Sequence, residues 1–349
     1  MSPASQQPER PVLSEGPVVS EGPVLSEDPV QPEHPEPDLS VHGAGRRVDR
    51  MFSHLALTAG AAVLVILGLV AVVTVNKAWP AFSELGAGYF FGTEWIPSEG
   101  LYGIVPLVYG TLVVSLLAIV VAVPVSIGIA LFVTEVVHRR ARGAVTMTID
   151  LLAAVPSVVF GLWGFFTLIP RFQAVFNSVA DAVASIPVLR TVLGPSTGSS
   201  YASAALILAL MITPIITAVT REVFATVPAN DKAGALALGA TRWEMIRGVV
   251  LPHSTGGVTG AVMLGLGRAM GETVAVALLI GARPDITANI FAVGETMPAQ
   301  IFRNLSEADD LFRAALIGLG VCLFVLTIVI NVSARRAVVV VDRRIKGTT

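Results

Sequence analysis

Residues Val227–Gly257 read VPANDKAGALALGATRWEMIRGVVLPHSTGG. Pro228 and a capping candidate, Asn230 or Asp231, precede a run of helix formers. Ala233, Ala235, Leu236 and Ala240, then Trp243, Met245 and Ile246, predict a short helix or helix pair with an apolar side. Small residues there let another protein approach the backbone closely. Arg242, Glu244 and Arg247 supply charged contacts, and Pro252 is expected to stop the helix. On both sides the chain turns apolar, over Tyr201–Thr226 and Gly257–Gly281. Each flank is long enough to cross the roughly 30 Å of a bilayer's hydrocarbon core. The stretch therefore reads as a docking loop between two membrane crossings.

Working outward, four more segments reach the length of a crossing: Phe52–Val75, Ile104–Thr134, Val145–Ile169 and Leu311–Val332. The composition agrees: 54% of residues are hydrophobic, 14% are charged and the mean hydropathy is +0.75. Soluble domains carry about 25% charged residues. Residues 46–349 thus form one all-α, polytopic domain of six membrane helices, embedded in a lipid bilayer, with residues 227–256 as its docking loop. Lys and Arg gather before the first crossing, in His138–Arg142, in the loop with Lys232, Arg242 and Arg247, and in the tail with Arg335, Arg336, Arg343, Arg344 and Lys346. By the positive-inside rule both termini face the cytoplasm. The outer loops Asn76–Gly103, Pro170–Ser200 and Ala282–Phe312 are each around 30 residues, with Tyr89 and Trp95 expected as interface anchors. Residues 1–45 are separate. They hold a degenerate repeat (PVLSEG, PVVSEG, PVLSED, PVQPEH) and are expected to be disordered, because they cannot bury enough apolar area.

Arg268 and Glu272 lie in the fifth crossing, four residues apart, and are expected on one helix face. Charges at bilayer depth cost at least ~2.5–3.5 kcal/mol each, so they mark a path or a buried pair. A guanidinium offers planar, bidentate donors to an oxyanion. Glu272 would restrain Arg268 or keep the anion from staying bound. Gly267 and Gly271 form a GxxxG pair, suited to a central helix or a seam between two subunits. Pro124, Pro156 and Pro214 interrupt the second, third and fourth crossings, and each frees a carbonyl. Ser157, Thr213 and Thr217 offer hydroxyls to an oxyanion, or else bond back to their own helices.

Catalytic chemistry has no carrier here. The chain lacks a GxxxxGK[ST] phosphate loop and an HExxH pair, and its one cysteine, Cys322, sits in an apolar run. No metal, no catalytic residue and no nucleic-acid partner is expected. Any ATP, with its Mg, is used by a partner.

The docking loop resembles the "EAA" motif of ABC importer permeases, Glu-Ala-Ala-x3-Gly-x9-Ile-x-Leu-Pro. Here Ala233-Gly234-Ala235, Gly239 and Val249-x-Leu251-Pro252 stand at that spacing, with Ala233 replacing the usual Glu. MLGLGRAMGETVAV (Met263–Val276), VPSVVFGLWGF (Val155–Phe165) and MITPIITAVTREVF (Met211–Phe224) resemble the PstC-type permease family of phosphate ABC importers. The resemblance covers about residues 50–345. It implies a type I importer permease fold in a bacterial cytoplasmic membrane, and a heterodimer with a PstA-type permease. It also implies two PstB-type ATPases, a PstS-type extracytoplasmic binding protein and inorganic phosphate as cargo. In that family the loop is the coupling helix seated in the ATPase. The related PstA type, a permease for another oxyanion and a membrane scaffold or sensor in phosphate signalling stay open beside this reading.

Overall fold

The computed structural model describes residues 43–345. The repeat of the N-terminal tail and Lys346 lie outside the described residues. Two units divide the chain, one ending at Ala62 and the other running from Val63. Helix α1 (Gly43–Phe91) is longer than the expected Phe52–Val75 crossing. Pro80 does not end it, and Gly86 (φ 52°, ψ −132°) kinks it while the chain continues to Phe91. The expected outer loop is correspondingly shorter and carries a small hairpin, β1 (Trp95–Ile96) against β2 (Leu101–Tyr102). Tyr89 and Trp95 are not interface anchors. Both are buried: the Tyr89 hydroxyl donates to the Ala315 carbonyl at 2.7 Å, and the Trp95 ring packs on Tyr102 and Phe312.

Helix α2 (Val105–Leu131) matches its expectation, carries Pro124 without a break and closes in a π-helical turn over Phe132–Val136. The third crossing is displaced. Helix α3 (Arg139–Ala153) stops before Pro156, and α4 (Ser157–Trp163), a π turn (Gly164–Leu168) and α5 (Ile169–Ala182) continue as a new apolar run. The stretch long and apolar enough to cross is therefore Ser157–Ala182, not Val145–Ile169. Pro156 brings no N–H, and a residue before proline is pushed away from helical geometry, so the chain breaks there.

After α6 (Pro187–Val192), helix α7 (Tyr201–Ala225) matches the fourth crossing. The Ser200 side chain caps it by accepting from the Ser203 N–H at 3.1 Å. Its apolar window is the most buried of the six. Two short helices follow, α8 (Ala229–Ala237) and α9 (Arg242–Met245), then a π turn (Ile246–Val250) and α10 (Leu251–Met270). Pro252 does not stop a helix; it sits in the first turn of α10 directly after the π turn, and the helical path runs on through it. The helical path is continuous from Arg242 to Met270 and then breaks, so the fifth crossing is not Gly257–Gly281. Beyond the break lie α11 (Val274–Leu279), α12 (Met297–Asn304) and α13 (Asp310–Ile345), whose crossing portion is Asp310–Arg336.

Helix α7 sits between α2 and α10. A Cβ on Gly265 would meet Ile216 at 2.6 Å, and one on Gly257 would meet Val223 at 2.5 Å, so α7 and α10 run antiparallel at near-backbone contact. Six described helices are long and apolar enough to cross a membrane.

Candidate translocation groove and coupling loop

One face of α10 is rich in small residues, with Met263 and Leu264 among them. Gly256, Thr259, Gly260, Met263 and Gly267 recur at helical spacing and line a groove of about 920 Å³. Arg268 stands at its far end on the same helix, Ile215 closes it from α7, and Asn331 and Arg335 line it from α13. Built Cβ atoms on Gly256, Gly260 and Gly267 would meet nothing within 4 Å. The groove thus owes its width to glycine, and its lining holds two guanidinium groups and no carboxylate. Its chemistry suits an anion.

Glu272 does not share this face. Helix α10 ends at Met270, and Glu272 sits in the break before α11, buried among Thr111, Ser115, Met270 and Thr296. That space leaves no room for a water molecule. Its carboxylate accepts from the Ala275 N–H at 3.4 Å, which ties the break to the first turn of α11. Among the described residues no ion pair joins it to Arg268. The four-residue spacing fails because the helix ends between the two residues. Glu272 shapes the backbone, and Arg268 alone of the pair faces the groove.

The three hydroxyls are not among the groove's lining residues. Thr213 donates back to the Ala209 carbonyl at 2.7 Å. Thr217 is fully buried in α7 with its hydroxyl unpartnered. Ser157 is the first residue of α4 and only partly exposed.

The loop between α7 and α10 is held from beneath. Lys232 of α8 pairs with Glu135 at the end of α2 at 2.6 Å. Ala235 and Val249 pack on a small core of Ala130, Phe224, Val227, Met245, Ile246 and Val250. Neither Asn230 nor Asp231 caps α8; Pro228 holds the cap position and they fall inside the helix. At its far end Gly239 adopts φ +88°, which L side chains resist, and its N–H bonds the Leu236 carbonyl at 3.0 Å. Thr241 then opens α9 with a capping box. Its hydroxyl accepts from the Glu244 N–H, and the Glu244 carboxylate accepts from the Thr241 N–H at 2.8 Å. Glu244 therefore closes its own helix. The Thr-x-x-Glu signature of TRWE marks this second helix start, whereas Asn230 or Asp231 was expected to cap the first. Ala233, Gly234, Gly239 and Arg242 are exposed, Leu238 is 92% exposed and Trp243 62%. Leu238 and Trp243 thus leave apolar surface exposed on an otherwise braced loop. Leu251 and Pro252 belong to the first turn of α10, so the loop and the groove helix are one piece.

Residues 122–347 match the family described as "binding-protein-dependent transport system inner membrane component". The chain belongs to that family.

Its similarity to other members extends over nearly the whole chain. The phosphate transport system permease protein PstC of Xylella fastidiosa (strain 9a5c) is 39% identical over 300 residues, covering 85% of this chain and 93% of that protein. PstC of Mesorhizobium japonicum is 39% identical over 299 residues, covering 85% and 91%. PstC 2 of Mycobacterium tuberculosis (strain ATCC 25618 / H37Rv) is 38% identical over 300 residues, covering 83% and 91%. Among solved structures, a bacterial ABC transporter that imports the acidic polysaccharide alginate superposes with a TM-score of 0.54 at 17% identity, covering 85% of this chain and 98% of that one. The alginate transporter in complex with a pentasaccharide-bound periplasmic protein gives 0.53 at 16% identity, covering 86% and 97%. At that identity these show the fold alone: that of an importer permease. The exposed loop and the glycine-lined groove lie on one helical run, Arg242–Met270.

Proposed function

We propose that the chain is the permease subunit of an ATP-driven phosphate importer in a bacterial cytoplasmic membrane. The observation that carries this is the anion-suited groove with Arg268 at one end, on a helix continuous with the exposed loop. The PstC permeases it resembles supply the cargo, inorganic phosphate. A PstA-type permease completes the path against the open glycine face of α10. A PstS-type protein delivers phosphate from outside, and two PstB-type ATPases supply the hydrolysis with ATP and Mg. Both termini face the cytoplasm, where the basic loops and tail lie. The chain itself breaks no bond.

The mechanism follows from the continuity. The ATPase pair grips Leu238 and Trp243 and moves as it binds and hydrolyses ATP. The path from Arg242 to Met270 carries that movement into the groove without an intervening hinge. Phosphate, released from the binding protein, meets the Arg268 guanidinium, whose fork matches two phosphate oxygens. A charge-assisted hydrogen bond is worth about 1.5–3 kcal/mol, so Arg268→Gln should cost ~10-fold or more in transport.

The test is ATP-dependent uptake of radiolabelled phosphate by the purified complex in proteoliposomes, with and without this chain, and with Arg268→Gln. Uptake that persists without the chain, or is normal in the variant, refutes the reading. Loss of sulfate or phosphonate uptake in place of phosphate would reassign the cargo.

A further inference from the structure

Arg335 enters the sequence reading only as one positive charge among many in the C-terminal tail. The structure places it in the wall of the groove, with Asn331 one helical turn before it on the same face of α13. We propose that Asn331 and Arg335 form a second phosphate-holding position, on the cytoplasmic side of Arg268, through which the transported ion leaves. This rests on the function proposed above.

The geometry is that of two stations on one path. Gly256 and Arg268 mark the two ends of the α10 face that lines the groove, about 18 Å apart at 1.5 Å per residue. Helices α10 and α13 are successive crossings and run in opposite directions. The start of α13 is fixed by Ala315, whose carbonyl accepts from the Tyr89 hydroxyl, and Arg335 lies twenty residues further on. Arg335 therefore belongs to the end of the groove where α10 begins, the end continuous with the docking loop. Arg268 belongs to the opposite end. Between them the wall is glycine, threonine and apolar side chains, with no carboxylate to hold either arginine. Among the described residues neither arginine forms an ion pair. Asn331 offers an amide N–H₂ beside the guanidinium, a neutral donor that adds to the grip without trapping the ion.

An oxyanion leaving Arg268 would otherwise cross a groove that offers few polar contacts. A second cation at the exit lowers that barrier. It also leaves the ion in water-exposed surroundings, where the attraction is weak and release is fast. A lipid phosphate headgroup has the same chemistry as the transported ion, and the experiment separates the two.

The complete complex is reconstituted with ATP on the ATPase side, and initial phosphate uptake and ATP hydrolysis are measured together. The variants are Arg335→Gln, Arg335→Lys and Asn331→Asp, the last placing a carboxylate beside Arg335 with almost no change of shape. Each is compared in neutral phosphatidylcholine vesicles and in vesicles with anionic lipid. Arg335→Gln and Asn331→Asp are expected to lower phosphate taken up per ATP by about tenfold in both membranes. Arg335→Lys should stay within about threefold of the wild type. Asn331→Asp keeps the test alive if Arg335→Gln fails to assemble. Unchanged uptake per ATP in both variants, while Arg268→Gln is defective, overturns the second position and leaves the proposed function standing. A defect seen only with anionic lipid overturns it in favour of a headgroup contact. Normal transport in Arg268→Gln overturns the underlying reading instead.

Discussion

Glu295 should make this protein less stable as pH rises through neutrality, in a way that Glu295→Gln removes. Glu295 lies between the fifth and sixth crossings and is 1% exposed. One carboxylate oxygen accepts from the Thr296 N–H at 3.1 Å. The other has no hydrogen bond, although the Arg303 Nε is 3.3 Å away. Arg303 spends a second donor on the Ala277 carbonyl at 2.6 Å, which turns its fork partly aside. Burial therefore outweighs the attraction of Arg303 and pushes the Glu295 carboxyl up to about 7, from an ordinary 4.5. A carboxyl raised by that amount carries about 3 kcal/mol. The sign is that of a group whose folded value is raised. The stability is fully present below pH 4.5 and is lost as pH rises through 7, because the folded protein must ionise a buried acid. Glu295→Gln keeps the acceptor for Thr296 and cannot ionise. The assay is thermal unfolding of the purified protein and the variant in one detergent, from pH 4.5 to 8.5. The variant should gain on the wild type by about 3 kcal/mol across that range, or ~6 °C in Tm. Taking the difference cancels every other titrating group. A difference that stays flat, or in which the wild type gains with pH, would refute the balance drawn between burial and Arg303.

Gly239→Ala forces an alanine into φ +88° with no neighbour to clash with, so its cost is conformational, about 1–2 kcal/mol. Weaker ATPase pull-down with unchanged folding of the spans is the expected readout, and full-strength binding would count against the loop geometry. A Gly-Gly-Ser insertion after Pro252 cuts the continuous helical path while leaving Leu238 and Trp243 in place. The complex should then hydrolyse ATP without taking up phosphate, and preserved coupling would sink the lever.

The crossings that were legible in sequence are those with no internal break. Helices α2 and α7 carry Pro124 and Pro214 without ending, and their hydropathy limits fall close to the observed ones. Hydropathy averages over a window, so it slides past a local stop. It fused α3 to α4 across Pro156, and α10 to α11 across Gly271–Thr273. The second fusion had a functional cost, because it put Glu272 beside Arg268. Proline marks the first break openly; Gly271 alone is too common inside membrane helices to mark the second. The backbone of the loop between α7 and α10 is shaped by local signals: Gly239 turns the chain, and TRWE, read in sequence only for its charges and apolar side, caps the next helix. The place of Arg335 was not legible, since a groove wall is made by two helices far apart in sequence. In a basic tail such a residue looks like any other topological charge. Tyr89 and Trp95 illustrate the converse: aromatic residues near a membrane edge look like anchors until a neighbouring helix covers them.

The π turn at Ile246–Val250 has one further consequence. A π turn holds one residue more than an α turn, and each residue of an α-helix rotates the chain by about 100°. The turn therefore acts as an angular offset between the exposed loop that carries Trp243 and the groove face that carries Arg268. Remove a single residue from Ile246–Val250 and Trp243 would point about a quarter-turn away from its present bearing relative to Arg268. The bearing of Trp243 relative to Arg268 thus depends on phase as well as on the Lys232–Glu135 pair and the packing of Met245, Ile246 and Val250, and a one-residue insertion or deletion is the smallest change that could retune it.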